Sequence, residues 1–291
     1  MNSPRVVDLD HPWVLVHLSD VHIPPVGTLP DTALDPSARL VAALEGVARF
    51  NPDHMVITGD LTDTGSAEEY GRLAAILAHA PCPITVIGGN HDVRERLVAA
   101  IDGAPETRGL GAVVDTDHMR IGLVESALEH RRDGAFTAER LEWLDAALRE
   151  QPSKPTVVAT HHPPLSTGTW WMDYRGPAGS ESLEAVVGRH PQVQRVLAGH
   201  LHRAIDAPFA HTICSVSGPL VLAAEPALGS DDGPMLSDEP ALVHVLRWDG
   251  TRLLGFRCPV EVPRRRVSLA DLIKPWEPYA ADARSGRPMY E

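Results

Sequence analysis

Five short clusters of Asp, Asn and His constrain this 291-residue chain more than any other feature, because each follows an apolar, strand-like run. They are Asp20-Val21-His22, Gly59-Asp60, Gly89-Asn90-His91-Asp92, His161-His162-Pro163-Pro164 and Gly199-His200-Leu201-His202. A fold that uses them together must bring five strand ends to one edge, where open α/β sheets gather their ligand sites. In extended chain, residues i and i+2 point the same way, so Asp20 with His22, and His200 with His202, each present two ligands to one cavity. The glycines before Asp60, Asn90 and His200 permit tight turns out of a strand. Each cluster alone is weak, since Asp-x-His arises easily in a chain with 15 histidines. Their joint, ordered occurrence makes coincidence a poor explanation.

The runs between the clusters read as scaffold. Residues 14–18 form a strand, and Asp35-Pro36 starts a helix to about residue 50, with Asp as N-cap and Pro at N1. Residues 55–58 make a second buried strand. Ser66 and Glu69 form a capping-box pattern ahead of an amphipathic stretch at 70–79, and 84–87 is the next strand. Further strands are expected at 112–115, 121–124, 156–160 and 196–198, with a helix capped by Thr137 running through residue 148. The alternation means an α/β protein. Residues 211–216, 220–224 and a hairpin of 241–248 with 252–258, turning on Asp249-Gly250, suggest an antiparallel closing sheet. Residues 163–180, which include Trp170, Trp171 and Tyr174, and the acidic stretch 229–240 read as loops bordering a site, as lids or substrate loops.

Composition excludes several classes. No apolar run approaches the roughly 20 residues that span a bilayer, so no membrane association is expected. Residues 1–11 carry Asp8 and Asp10 and no apolar segment, which argues against a cleaved signal peptide and makes the cytoplasm the default location. Cys82, Cys214 and Cys258 form no C-x-x-C pair and suit a reducing compartment. A net charge of −13 opposes long-range attraction to nucleic acid or anionic membranes. A phosphate-bearing ligand must therefore be attracted locally, by metal ions or a few arginines.

In kind and order, Leu-Ser-Asp-Val-His, Thr-Gly-Asp-Leu-Thr-Asp, Gly-Gly-Asn-His-Asp, Thr-His-His-Pro-Pro and Ala-Gly-His-Leu-His resemble the motifs of the calcineurin-like metallophosphoesterase superfamily, over roughly residues 13–202. Within it, the chain looks most like bacterial class III cyclic-nucleotide phosphodiesterases and glycerophosphodiesterases. The resemblance implies an α/β, four-layer α-β-β-α sandwich, in which two mixed sheets are flanked by helices. Residues 1–258 would form the catalytic domain. The tail, 259–291, would pack on the body or join a subunit interface in a homo-oligomer, dimer or higher.

The resemblance also implies two transition-metal ions, Fe, Mn, Zn or Co, sharing Asp60. The first would be held by Asp20, His22 and His202, the second by Asn90, His161 and His200. Mixed imidazole and carboxylate ligands suit those metals rather than Mg or Ca alone. The family pattern prefers His161 over His162, which is left to support a ligand. Two such ions lower the pKa of a bound water, supply hydroxide near neutral pH and clamp phosphoryl oxygens during in-line displacement. His91 is the candidate for contacting the phosphoryl oxygen or protonating the leaving oxygen, with Asp92 orienting it or a ligand.

Trp170 and Trp171 are candidate stacking platforms for a nucleobase, and Arg203 is the basic residue directly flanking the motifs. His11, His17, His54, His79, His118, His130, His190, His211 and His244 are expected to pack in the core or on the surface. The implied activity is hydrolysis of small phosphodiesters, of cyclic-nucleotide or glycerophosphodiester type. The alternatives are a phosphomonoesterase of the same fold and a non-catalytic metal-binding scaffold. Asp63-Thr64-Gly65 lacks the arginine of the Asp-Arg-Gly expected in Ser/Thr protein phosphatases, and Ser217-Gly218-Pro219-Leu220-Val221 lacks the further histidine of some glycerophosphodiesterase-like members.

Overall fold

Strand β1 (Trp13–Leu18) sends alternate side chains into two different cores: Val14, Val16 and Leu18 into one, Trp13 and Leu15 into the other. A strand buried on both faces must be apolar throughout, and this continuous run is what the sequence carries. In the computed structural model, residues 12–102, 104–174, 176–227, 234–259 and 266–268 are described. After β1 come α1 (Leu29–Leu34), α2 (Pro36–Ala48), β2 (His54–Thr58), α3 (Ala67–Leu77), β3 (Ile84–Ile87) and α4 (Arg94–Ala100). The second half begins with β4 (Gly111–Asp115), β5 (Arg120–Val124), α5 (Ala138–Glu150), β6 (Thr156–Ala159), α6 (Trp170–Asp173), α7 (Ser180–Gly188) and β7 (Val193–Ala198). It closes with β8 (Ile205–Phe209), β9 (Thr212–Val216), β10 (Ala223–Ala224), β11 (Met235–Ser237), β12 (Leu242–Trp248), β13 (Leu253–Pro259) and β14 (Arg266–Ser268).

Two mixed sheets result, ordered β13-β12-β1-β2-β3 and β4-β5-β6-β7-β9-β8, with a small third sheet β10-β11-β14. Three cores separate four layers. Leu40, Leu44, Leu73 and Tyr70 of α2 and α3 cover the first sheet, and Leu141, Leu144, Leu183 and Val187 of α5 and α7 cover the second. Between the sheets lie Leu15, Val56, Ile87, Ile121, Val157 and Leu197. The chain is thus an α/β sandwich of two mixed sheets flanked by helices. Asp35 caps α2 by accepting from Ala38 N at 3.0 Å, and Ser66 and Glu69 complete the capping box of α3.

The last third departs from the expected closing sheet. The 242–259 hairpin joins the first sheet instead, with β12 antiparallel to β1 and Leu246 opposite Leu15. Val243 and Val245 face one core and Leu246 and Trp248 the other, so β12 needs the interior of a sandwich. Only Ala223–Ala224 of the 220–224 run pairs as a strand. The 163–180 stretch contains α6, and 229–240 contains β11, although residues 228–233 lie outside the described residues. Residues 1–11 also lie outside, as does the tail apart from Pro259 and the short β14. Among the described residues, no helix is long and apolar enough to cross a membrane.

Candidate metal centre

Strands β1, β2 and β3 of one sheet and β6 and β7 of the other deliver all five clusters from their C-terminal ends. The chain leaving them is not extended. Asp20 (φ 54), His22 (φ 47), Asp60 (φ 49), His200 (φ 68) and His202 (φ 48) all lie in the left-handed region. This corrects the extended-pair expectation: the residue pairs converge through turns that cost a non-glycine residue about 1–3 kcal/mol each. Cross-strand hydrogen bonds hold the conformation, among them Asp20 N to Gly59 O at 3.0 Å, His22 N to Asp60 O at 2.9 Å and Gly199 N to His161 O at 2.9 Å. Gly59 needs its positive φ of 92. Gly89 and Gly199 serve close approach instead: a Cβ on the first would overlap Asp60 Oδ1, and on the second Ser19 Oγ.

Two donor groups face each other across Asp60. In one, ligand atoms of Asp20, His22, Asp60 and His202 lie within 4.8 Å of one another. His202 Nδ1 donates to Leu222 O at 3.1 Å, which leaves its Nε2 bare, 3.1 Å from His22 Nε2 and 3.7 Å from Asp20 Oδ1. In the other, His161 Nδ1 donates to Thr58 O at 2.8 Å, so its bare Nε2 points at Asn90 Oδ1, 3.0 Å away. His200 Nδ1 lies 2.9 Å from that same oxygen. The bare His161 Nε2 and the Asn90 oxygen repel at that distance unless a cation joins them, and the mixed imidazole, amide and carboxylate donors fit transition-metal ions. Asp60 spans both groups, with Oδ2 3.5 Å from His22 Nε2 and Oδ1 3.5 Å from His161 Nε2.

Electrostatics agree with cation binding. Burial opposes protonation of His22, yet the carboxylates of Asp63, Asp60 and Asp20 outweigh it and raise the imidazole to about 9. Burial disfavours the Asp60 carboxylate too, but four surrounding imidazoles hold it well below the usual carboxylate range. The cluster thus carries an excess of negative potential beside His22, the kind of field a dication neutralises.

His162 is fully buried; its Nδ1 lies 2.9 Å from Ser126 Oγ and its Nε2 3.4 Å from Arg132 O. Burial and the neighbouring His161 push it down to about 3. Both its nitrogens are occupied, which leaves the second donor group to His161 and His200. His91 donates from Nδ1 to Asp63 O at 2.7 Å, and its Nε2 stands 4.0 Å from Asp60 Oδ2. Burial lowers it to about 4, so its neutral form faces the centre. Asp92 touches neither that ring nor the donor groups. It accepts from Leu61 N at 3.1 Å, Gly89 N at 2.9 Å and Tyr70 OH at 3.0 Å, tying the Asp60 turn to the Asn90 turn.

Trp171 is 3% exposed and packs with Leu34, Val221 and Leu236, so its ring is committed to a core; Trp170 packs half-buried against the same cluster. Arg203 pairs with Glu239 at 2.8 and 2.9 Å and donates to Ala224 O at 2.6 Å, so its charge is already matched. It lines a cavity of about 320 Å³ with Leu165, Met172, Leu201 and Ile205. Two residues the motifs did not single out also reach the centre. Asp63 Oδ1 lies 3.6 Å from His22 Nδ1 and 3.7 Å from His91 Nδ1, orienting both rings. Arg132 meets His91 Nε2 from the loop after β5. Asp63 stands inside the quoted Thr-Gly-Asp-Leu-Thr-Asp word, whereas nothing in the sequence around Arg132 marks it.

Comparison with known proteins shows the family. The family described as calcineurin-like phosphoesterase matches residues 14–204. The chain is 30% identical over 239 residues to the 3',5'-cyclic adenosine monophosphate phosphodiesterase CpdA of Pseudomonas aeruginosa, covering 81% of this chain and 83% of that one. It is 29% identical over 272 residues to the glycerophosphodiester phosphodiesterase GpdQ of Enterobacter lignolyticus, covering 90% and 94%. A dimetal phosphatase from Danio rerio shares the fold, with a TM-score of 0.68 at 14% identity over 89% of this chain and 99% of that one. The chain belongs to the calcineurin-like phosphoesterase family, as a hydrolytic phosphoesterase.

Proposed function

We propose that the chain hydrolyses small phosphodiesters at a two-metal centre, with Asp60 bridging. Asp20, His22 and His202 would hold one ion, and Asn90, His161 and His200 the other. The observation that carries this reading is the division of Asp60, whose two oxygens face different imidazoles, each at 3.5 Å. Two such ions, when bound, activate water as the nucleophile and neutralise phosphoryl charge. The chain's own residues fix everything else. Thr58 O and Leu222 O set the tautomers of His161 and His202, and Asp63 orients His22 and His91. His91, neutral and with its Nδ1–H donated to Asp63 O, turns an accepting Nε2 toward the rim of the centre, where the Arg132 guanidinium meets it.

A preference for small diesters is supported by the activities for which CpdA and GpdQ are named and by the charge of −13, which opposes long nucleic acid. The cavity beside Arg203 and the half-buried Trp170 are where the organic part of a substrate would be read. The reading extends to a cytoplasmic homo-oligomer with residues 1–258 as its catalytic unit; three free thiols support the reducing compartment. The test is a panel of cyclic nucleotides, glycerophosphodiesters and phosphomonoesters offered to the metal-loaded protein. Diesters should turn over with the higher kcat/KM. A monoester preference across the panel would overturn the substrate assignment.

A further inference from the structure

Arg132 carries a charge that neither donor group uses. It lies in the loop between β5 and α5, half-buried, and its Nη1 meets Nε2 of His91. That nitrogen is free to accept because Nδ1 of the same ring donates to Asp63 O at 2.7 Å. The main-chain carbonyl of Arg132 lies 3.4 Å from His162 Nε2, which ties the loop to a ring packed against His161 and His200. The guanidinium therefore stands at the rim of the centre, beyond an imidazole whose Nε2 is 4.0 Å from Asp60 Oδ2.

Neighbouring arginines are matched differently. Arg131 pairs with Asp133 at 2.6 Å, Arg94 with Glu125 at 3.7 Å and Arg203 with Glu239 at 2.8 Å, while Arg140 donates to the carbonyls of Gly109, Ala135 and Ala127. Among the described residues, no carboxylate lies within 4.0 Å of the Arg132 guanidinium. His91 occupies one of its five N–H donors and, accepting through Nε2 while Nδ1 donates to Asp63 O, brings no carboxylate to the guanidinium. Asp63 is the acidic residue whose carboxyl feels Arg132, which helps hold it below the usual carboxylate range, yet no carboxylate is in ion-pair contact, so the remaining N–H donors of this half-buried guanidinium are open to an anionic ligand.

We propose that Arg132 binds the phosphoryl group at the centre, its planar fork taking non-bridging oxygens beside His91. The assignment rests on the phosphodiesterase reading for its substrate, but the binding step can be measured without turnover. Inorganic phosphate is titrated calorimetrically into the metal-loaded full chain, for the wild type and for Arg132→Ala, Arg132→Lys and Arg131→Ala. Arg132→Ala should weaken phosphate by roughly tenfold or more, the size of one lost charge-assisted hydrogen bond. Arg132→Lys should recover part of the affinity, and Arg131→Ala should stay within about twofold of wild type, all with unchanged metal content. With bis(p-nitrophenyl) phosphate, Arg132→Ala should raise KM by more than it lowers kcat. Phosphate affinity in Arg132→Ala within about twofold of wild type overturns the proposal, as does loss of metal in both Arg132 variants, which marks a structural role. Arg132-dependent phosphate binding in a wild type that turns over no phosphodiester sustains the anion site and retires the phosphodiesterase reading.

Discussion

Asp60 concentrates the most consequence in one side chain, because its carboxylate is shared, buried and fixed from behind by His91 N at 2.9 Å. Asp60→Ala is expected to empty both donor groups and abolish turnover; near-normal hydrolysis in that variant refutes the shared-ligand assignment. Gly89→Ala approaches the same oxygen by another route, since its methyl overlaps Asp60 Oδ1 and N. We expect it to lower metal content and to destabilise the fold by about 1–3 kcal/mol, read as reduced bound metal and a lower Tm. Unchanged values of both would mean that the turn relaxes freely. The ligand residues were legible in the sequence because each sits within a few residues of a strand end. Arg132 was not legible, because it reaches His91 from a loop 41 residues away. Arg203 read as available only because Glu239, which neutralises it, lies 36 residues further on.

Among the elements, α3 tests how much a local capping signal is worth. Ser66 Oγ accepts from Glu69 N at 3.3 Å while Glu69 Oε2 accepts from Ser66 N at 2.6 Å. Ser66→Ala should lower stability by about 1 kcal/mol, seen as a modest drop in denaturation midpoint with kcat/KM unchanged; a fall in activity would contradict its separation from the site. The β1–β12 pair makes a pH prediction. His17 and His244 sit opposite each other in the register, both buried. Burial, followed by the neighbouring His244, holds His17 well below 6.5, and burial does the same to His244. Below about pH 6.5 the unfolded chain therefore takes up protons that the folded one refuses, so stability is full above that pH and is lost as pH falls. A His17→Gln, His244→Gln double variant should show a flatter decline in Tm between pH 7 and 5; a decline equal to wild type would exclude the pair as its source. Helices α2, α3 and α5 announced themselves by their caps, whereas α4 and α7 begin at Val93 and Gly179 with no side-chain cap bond and were missed. The hairpin was legible as a hairpin. Its place beside β1 was not, since partner choice depends on the sandwich interior.

At the scale of the whole molecule, the centre joins the two sheets. His161 from the second sheet donates to Thr58 O of the first at 2.8 Å, and His200 N donates to Asp20 at 3.0 Å. Metal binding should therefore stabilise the sandwich as a unit by mass action, and chelation should lower the Tm of the whole cooperative transition. Alternation of strand and helix signals made the α/β class legible, whereas the two-sheet, helix-flanked sandwich was implied by the family resemblance, because strand order across two sheets is set by packing that no local pattern records. The most direct test of the account is the metal stoichiometry at which the chelated wild-type protein regains full phosphodiesterase activity. It predicts about two transition-metal ions per chain at the reactivation plateau. Full activity at one ion per chain, or without metal, would contradict it.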